Sequence, residues 1–374
     1  MTKATRTLVV KIGSSTLTDA SGRIDHSYLA GVARQVAELR EQGWQVIIVS
    51  SGAIACGLES LGMRTRPTDM PSLQAAASVG QSAFSAAYAS AFEPFGLLTS
   101  SVLLTRRDTA DRTAYLNARA TLRRLLELGV VPIVNENDTV SVEQIRFGDN
   151  DTLAALVACL VEADEVIILS DIDGLYDDNP RTNPEAQLIP LVEVITPQIM
   201  AKAGGAGSTV GSGGMITKIK AARVLMAAGI QMAIALGSSP NIICDVAGRS
   251  ARCTWFAAKS SAHEITPRKL WIALGDSAKG SLVVDAGARN ALVNRGSSLL
   301  SVGIARVQGR FDEGDIVDVV DETGLIVARG RVSACSDEIS LACGLTSDEL
   351  SANRILARLA DRPIMHRDEL IVFE

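Results

Sequence analysis

The stretch with the most chemical potential is residues 134–151, VNENDTVSVEQIRFGDND, which holds five acidic residues, three asparagines and one glycine. The apolar run 129–134 before it is typical of a buried strand, and residues 152–161 after it are typical of an apolar helix. Open α/β sheets bind ligands where strands end and helices begin, so the stretch predicts a ligand site. The simpler interpretation is an acidic surface loop in which Asp149 or Asn150 caps the helix.

Three turns of small residues each follow a predicted strand and precede a predicted helix: Gly13-Ser14-Ser15, Ser51-Gly52-Ala53 and residues 211–214. Exposed backbone N–H groups at a helix start favour a phosphate group. Lys11 and Lys218 flank two of these turns. Residues 203–214 contain six glycines, and a flexible lid without a ligand is the alternative interpretation there. Neither a Walker loop nor a Rossmann fingerprint is present.

Lysines, phosphate-binding turns and carboxylates are therefore expected at one edge of a sheet. The carboxylates are those of Asp138, Asp149, Asp151, Asp171 and Asp173. This combination predicts phosphoryl transfer from a nucleotide, because such catalysis consists mainly of positioning reactants and neutralising charge.

Alternating strands and helices must position these groups. Strands are predicted at 7–12, 44–49, 97–104, 130–134, 165–169 and 231–236, and helices at 26–41, 73–92, 112–128, 152–161 and 215–228. The pattern predicts an α/β fold with a doubly wound, mostly parallel sheet sandwiched by helices. We expect this domain to cover residues 1–260.

The pattern changes after a linker at residues 261–274. Short alternating strands are predicted at 281–284, 304–308, 315–320 and 325–332, separated by turn sequences. Residues 275–374 are therefore expected to form a small β-barrel-like domain and a C-terminal tail.

Composition excludes several classes of protein. A chain of 374 residues predicts two domains. Mean hydropathy is +0.22, but the longest nearly apolar run, 224–236, is too short to span a bilayer. No signal-peptide core is recognisable, so a cytoplasmic protein is expected. The six cysteines are scattered and there are three histidines, which predicts reduced thiols and no His/Cys metal cluster.

Six motifs follow one another over the first 260 residues: VVKIGSS, IIVSSGAIACG, VPIVNENDTV, FGDNDTLAALVA, LSDIDGLYDDNP and GSGGMITKIKAA. They resemble those of the glutamate 5-kinases, a branch of the amino acid kinase family. FGDND and GGM-x-TK are the most specific of them. The segment after the linker resembles a PUA domain. The resemblance implies an amino-acid-kinase-like fold that uses ATP and Mg²⁺ to phosphorylate the side-chain carboxylate of L-glutamate, the first step of proline synthesis.

The resemblance also implies roles for individual residues. Lys11 and Lys218 would contact the transferred phosphoryl group, and Asp151 would orient both lysines. The residues implied to bind glutamate are Ser51, Gly52, Ala53, Asp138, Asp149 and Asn150. Those implied to bind ATP are Lys11, Gly13, Ser14, Ser170, Asp171, Ser212, Gly213, Gly214, Met215, Ile216, Thr217 and Lys218. No metal ligand is assigned directly. Arg146 stands where the family has a lysine, which preserves the charge but changes its geometry.

The implied partners are L-glutamate, ATP, L-proline as feedback inhibitor, further copies of the chain in a dimer or tetramer, and glutamyl phosphate reductase. A related kinase acting on carbamate, aspartate, N-acetylglutamate or UMP is the nearest alternative. No membrane association is expected. RNA binding by the C-terminal domain is the alternative from another class, but residues 275–374 carry 11 Lys/Arg against 16 Asp/Glu. RNA is therefore not expected as a partner, and a role in assembly or regulation is favoured.

Overall fold

The computed structural model describes residues 5–19, 22–63, 65–105, 111–140, 150–203, 214–258, 266–274 and 278–373. The chain divides into two compact units. The first comprises residues 1–193 and 202–261, and the second comprises residues 194–201 and 262–374.

The first unit is built on an eight-stranded sheet. Its strands are β1 (Arg6–Ile12), β2 (Trp44–Ser50), β3 (Thr99–Leu104), β4 (Val131–Glu136), β5 (Glu165–Ser170), β6 (Leu191–Val192), β7 (Gln231–Leu236) and β8 (Cys253–Phe256). Their order across the sheet is β3-β4-β2-β1-β5-β7-β8-β6. The pairings among β1, β2, β3, β4, β5 and β7 are all parallel.

The helices of the chain up to the end of this unit are α1 (Ser14–Leu17), α2 (His26–Glu41), α3 (Ala53–Ser60), α4 (Met70–Phe92), α5 (Arg112–Glu127), α6 (Asn150–Val161), α7 (Pro197–Ala203), α8 (Met215–Ala227) and α9 (Ile242–Ala247). The side chains of β1 from Leu8 to Val10 are fully buried, as expected for a strand covered on both faces. No helix among the described residues is long and apolar enough to cross a membrane.

The prediction of a doubly wound, mostly parallel sheet is confirmed, and all six predicted strands are present. The expectation that residues 231–236 form the last strand was wrong. β8 follows and runs antiparallel to β7, while β6 pairs in parallel with β8. β6 has two residues and β8 has four, which is too short for a recognisable periodicity.

Helices α3 and α4 cross with their backbones in direct contact. A Cβ atom placed on Gly57 would lie 1.7 Å from the carbonyl oxygen of Ala76, and one on Gly80 would lie 1.8 Å from that of Ala53. Only glycine permits this approach at either position. The crossing therefore fixes Ala53, at the start of α3, against the middle of α4.

The second unit contains a five-stranded sheet in the order β10-β9-β11-β12-β13. Its strands are β9 (Gly280–Val284), β10 (Ile304–Gly309), β11 (Ile316–Val320), β12 (Ile326–Arg331) and β13 (Leu370–Val372). Its helices are α10 (Pro267–Leu274), α11 (Ala286–Arg295), α12 (Ser336–Ala342) and α13 (Ser347–Ala352). The four predicted strands are present, whereas β13 and the helices were not predicted. Arg306 lies on β10 and Arg329 and Arg331 lie on β12, so β9 and β11 separate them.

Candidate functional site

The centre of the candidate site is the carboxylate of Asp151, which is fully buried near the start of α6. Its Oδ1 lies 2.7 Å from Nζ of Lys11, near the end of β1. Its Oδ2 lies 3.0 Å from Nζ of Lys218, in the first turn of α8. Both lysines are themselves buried. One carboxylate thus holds two ammonium groups together, and the three side chains leave a net positive charge.

The first turn of α8 adds a further contact to this centre. Oγ1 of Thr217 lies 3.0 Å from Oδ2 of Asp151 and 2.7 Å from the carbonyl oxygen of Gly214, the N-cap of the helix. The single hydroxyl proton can serve one of these acceptors at a time. Since no side chain caps α8, its first N–H groups and its dipole favour an anion at this end.

A second group of side chains lies beside the charged centre. The amide Nδ2 of Asn150 donates to Oγ of Ser51 at 2.7 Å and to Oδ1 of Asn135 at 3.1 Å. The side chain of Asn150 therefore joins the ends of two strands across the sheet edge instead of capping its own helix. Gly52, at φ 132°, is the N-cap of α3 and Ala53 is its first residue. The start of α3 is thus another helix N-terminus without a side-chain cap.

Helix α4 stabilises the turn after β2 through a hydrogen bond. The hydroxyl of Tyr88, which is fully buried, donates to Oγ of Ser50 at 2.7 Å, and the Ser50 hydroxyl donates to the carbonyl oxygen of Ser51 at 3.2 Å. Burial raises the pKa of Tyr88 above its usual range. The phenol therefore remains a donor at neutral pH.

Asp138 lies in the turn after β4 and is half-buried. Burial raises the pKa of its carboxyl to about 6, against the opposing effect of the nearby Arg66 guanidinium. The turn is also tied to α4, because Nε2 of Gln74 donates to the carbonyl oxygen of Thr139 at 3.2 Å. A cationic group bound beside Asp138 would stabilise the ionised form of this carboxyl.

The residues expected to bind the nucleotide occupy the ends of β1 and β5 and the start of α8. Ser170 is buried at the end of β5, and its hydroxyl donates to Oδ1 of Asp171 at 3.2 Å. Asp171 is exposed and forms an ion pair with Arg181 at 2.7 Å. Gly13 and Ser14 follow β1, while Gly214, Met215, Ile216 and Thr217 are partly exposed at the start of α8.

Some predicted residues lie outside the described part of the chain, namely Arg146, Asp149, Ser212 and Gly213. Asp173 is described but contacts other groups than the lysines. Its carboxylate bonds Arg252 at 2.8 Å and the Tyr176 hydroxyl at 2.7 Å. These hydrogen bonds outweigh the effect of burial and lower the pKa of Asp173.

Two residues of this region had no role in the sequence analysis. Asn135 is buried in β4, and its Nδ2 donates to Oε1 of Gln81, on α4, at 3.3 Å. Asn135 belongs to the NEND motif, so its polar character inside a buried strand was the available signal. Gln81 is one of two glutamines in an alanine- and serine-rich helix, and neither gives a signal before the tertiary structure is known.

Among the described residues, no three His, Cys, Asp or Glu side chains lie close enough to hold a metal ion. All six cysteines have free thiols.

Comparison with known proteins places these features in a family. The profile of the amino acid kinase family matches residues 6–235, and that of the PUA domain matches residues 280–352. A glutamate 5-kinase from Geobacter sulfurreducens is 48% identical over 366 residues, which cover 98% of this chain and 97% of the relative. One from Bordetella petrii is 46% identical over 369 residues, with 99% and 96% coverage.

A solved structure is similar in fold. Carbamate kinase from Giardia lamblia bound to AMP-PNP aligns with a TM-score of 0.50 and 16% identity, covering 68% of this chain and 99% of that one. The sequence relatives extend over nearly the whole chain, including the segment matched by the PUA profile. The chain therefore belongs to the amino acid kinase family, among the glutamate 5-kinases, and carries a C-terminal PUA domain.

Proposed function

We propose that this kinase transfers the γ-phosphoryl group of ATP to the side-chain carboxylate of L-glutamate, giving L-glutamyl 5-phosphate and ADP. The observation that carries the proposal is the buried Asp151 bonded to Lys11 and Lys218, next to the Asn150–Ser51 pair. The names of the relatives support glutamate as the substrate.

The reaction requires neutralisation of charge more than proton transfer. A glutamate side chain has a reference pKa of about 4.3, so the attacking carboxylate is ionised at neutral pH without a general base. Bringing it to about 4 Å from one phosphoryl charge costs roughly 4 kcal/mol at an effective dielectric of 20. Two lysines at the transfer point offset this repulsion. Asp151 fixes both ammonium groups before the reactants arrive, so little reorganisation is needed in the transition state.

The two substrates are proposed to enter from opposite sides of the lysines. Glutamate would bind to Ser51, Gly52, Ala53, Asp138, Asp149 and Asn150, with the carboxylate of Asp138 meeting its ammonium group. ATP would bind to Gly13, Ser14, Ser170, Asp171 and residues 212–218. The uncapped N-termini of α3 and α8 support this division, because each favours an anionic group of a different substrate.

Mg²⁺ is proposed to enter with the nucleotide. Magnesium at phosphoryl-transfer sites is held largely by phosphates, water and one or two carboxylates. This arrangement fits a site whose described residues contain no three-ligand cluster. When bound, the ion would neutralise phosphate charge, while the lysines act on the phosphoryl group in transfer.

We further propose that the chain acts in the cytoplasm in the first step of proline synthesis, as a dimer or tetramer. Its acyl phosphate product would be passed to glutamyl phosphate reductase. L-Proline would inhibit by competing in the glutamate pocket, because it resembles a cyclised glutamate skeleton. An increase in the KM for glutamate with added proline, at constant kcat, is the expected result.

A substrate panel tests the main proposal. ADP release is measured with ATP and Mg²⁺ and either L-glutamate, L-aspartate, N-acetyl-L-glutamate, carbamate or UMP. We expect glutamate to be the preferred acceptor, with hydroxylamine trapping its acyl phosphate. Preference for any other acceptor would contradict the proposal.

A further inference from the structure

We propose that Gln81 is a positioning residue that fixes the hydrogen-bond directions of the glutamate pocket and thereby its preference for a free α-amino group. The inference rests on the proposed function. It concerns a residue of α4 that belongs to neither the charged centre nor the expected substrate contacts.

A chain of hydrogen bonds runs from Gln81 to Ser51. Nε2 of Gln81 lies 3.3 Å from Oγ of Ser101 and 3.4 Å from Oγ of Ser85. Oε1 of Gln81 accepts from Nδ2 of Asn135 at 3.3 Å. Oδ1 of Asn135 then accepts from Asn150, which also donates to Ser51.

Each amide in this chain determines the orientation of the next. A carboxamide has donors on one side and an acceptor on the other. Because Gln81 presents its oxygen to Asn135, Asn135 presents its own oxygen to Asn150. Asn150 must therefore direct its NH₂ group toward Asn135 and Ser51, and each of its two N–H groups donates to one of them.

This orientation has a direct consequence for the substrate. The remaining polar atom of Asn150 is Oδ1, which accepts hydrogen bonds and so matches the ammonium group of an amino acid. Oγ of Ser51 already accepts from Asn150, so its own proton is directed to an acceptor such as a carboxylate. The chain beginning at Gln81 thus produces an acceptor for the amino group and a donor for an acid group.

The surroundings make this orientation rigid. Asn135 is 3% exposed and Asn150 is 5% exposed, so water offers little alternative bonding. Gly80, next to Gln81, contacts the backbone of Ala53. Helix α4 therefore supports the pocket through the backbone at Gly80 and through the amide chain at Gln81.

The test replaces Gln81 by Met, which is similar in length but neither donates nor accepts strongly, and by Glu, which still accepts from Asn135. Ser82→Met, at an exposed position on α4, is the matched control. Kinetics are measured with L-glutamate and with glutarate, which lacks the amino group. Thermal unfolding of each full-length variant is recorded in parallel.

We expect Gln81→Met to raise the KM for glutamate about tenfold, the effect of losing the hydrogen bond that the buried Asn135 donates to position 81. The ratio of kcat/KM for glutamate to that for glutarate should fall by a similar factor, while kcat and the KM for ATP change less than about threefold. Without an acceptor at position 81, Asn135 and Asn150 can turn and present donors to the amino group. Gln81→Glu and Ser82→Met should keep the wild-type ratio.

Three results would overturn the inference. An unchanged ratio in Gln81→Met would show that the orientation of Asn150 does not depend on Gln81. Equal losses in Gln81→Met and Gln81→Glu, together with lower kcat and thermal stability, would show a merely structural role. If the wild-type protein were inactive on glutamate, both the proposed function and this inference would be wrong. If the wild type were active and Gln81→Met kept the wild-type ratio of kcat/KM for glutamate to that for glutarate, only this inference would be wrong.

Discussion

At the scale of single residues, the buried carboxylate of Asp151 is stable only because of its partners. A buried charge without compensation costs several kcal/mol, and two ammonium groups brought together without a counter-charge would repel each other. Asp151 lies 2.7 Å and 3.0 Å from the two lysines and resolves both difficulties. The excess positive charge is then held in place for the phosphoryl group.

Replacement of either lysine should therefore affect turnover more than glutamate binding. We expect Lys11→Ala and Lys218→Ala each to lower kcat by about 100-fold to 1,000-fold, typical for loss of a preorganised transition-state donor. The KM for glutamate should change less than about fivefold, because the charge is needed most during transfer. Asp151→Asn should resemble them, because the lysines lose their common anchor. Steady-state kinetics of the three variants test this.

Lys220, an exposed lysine on α8 two residues after Lys218, is the matched control. Lys220→Ala should keep wild-type kinetics. If the two buried-lysine variants kept kcat within about threefold of wild type, the transfer site would be wrongly placed.

Asp138 should give the kinetics a pH dependence. Its carboxyl has a pKa of about 6, raised by burial, and only the ionised form attracts an ammonium group. The kcat/KM for glutamate should therefore fall as pH decreases through about 6 and be constant above it. A rate profile from pH 5 to 8 tests this, with the KM for ATP as internal comparison.

Asp138→Asn should raise the KM for glutamate and remove the decrease below pH 6, because no titrating group remains at this position. A variant that affects only the KM for ATP would show that the two halves of the site are reversed.

At the scale of elements, the contact between α3 and α4 positions the start of α3. Gly80→Ala would place a methyl group 1.8 Å from the carbonyl oxygen of Ala53, so the helices must separate. We expect the free energy of unfolding to fall by about 1–3 kcal/mol and the KM for glutamate to rise, because Ala53 moves. Denaturant unfolding and steady-state kinetics measure the two effects.

Gly31→Ala on α2 is the control for this substitution, since no neighbouring atom lies within 4 Å of the added Cβ. It should be neutral or stabilising by up to about 1 kcal/mol, from helix propensity alone. Equal behaviour of the two variants would contradict the importance of the helix crossing.

The arrangement of these elements also explains which features of the fold and of the candidate site could be predicted from the sequence. Five of the six parallel strands contain an apolar run, β3 (TSSVLL) being the exception. Their carboxyl ends share one edge by topology, so the meeting of Lys11, Asp151 and Lys218 follows from order along the chain. The hydrogen bond between Gln81 and Asn135 joins residues 54 positions apart. It depends on the rotation of α4 about its axis, which the Ala/Ser/Gly composition of that helix does not determine.

At the scale of the whole molecule, the acidic balance of residues 275–374 argued against a nucleic-acid surface, and the structure adds two observations. Phe311 and Phe373 are the only Phe, Tyr or Trp residues of this segment, and both are buried. Neither ring is therefore available to stack with a base. Arg329 is 9% exposed and is held by both carboxylate oxygens of Asp318, at 2.7 Å and 3.1 Å.

The basic groups that remain are also separated. Arg306 is exposed on β10, which two intervening strands separate from Arg331 on β12, and Arg331 donates to the carbonyl oxygen of Gly314. Nucleic-acid binders concentrate their basic residues on one face, because affinity grows with the number of phosphates neutralised together. The arginines of this sheet do not form such a row.

We therefore expect the full-length chain to bind single-stranded RNA more weakly than about 1 µM at physiological salt, in the range of non-specific association. Fluorescence anisotropy with a labelled oligonucleotide, repeated at several salt concentrations, measures this. Arg306→Ala should leave the weak signal unchanged. Submicromolar, salt-sensitive binding that Arg306→Ala reduces would contradict the expectation. Weak binding would instead favour a role of the PUA domain in assembly or regulation. In that case, removal of residues 262–374 should alter the oligomeric state or the response to proline, while glutamate-dependent ADP release persists.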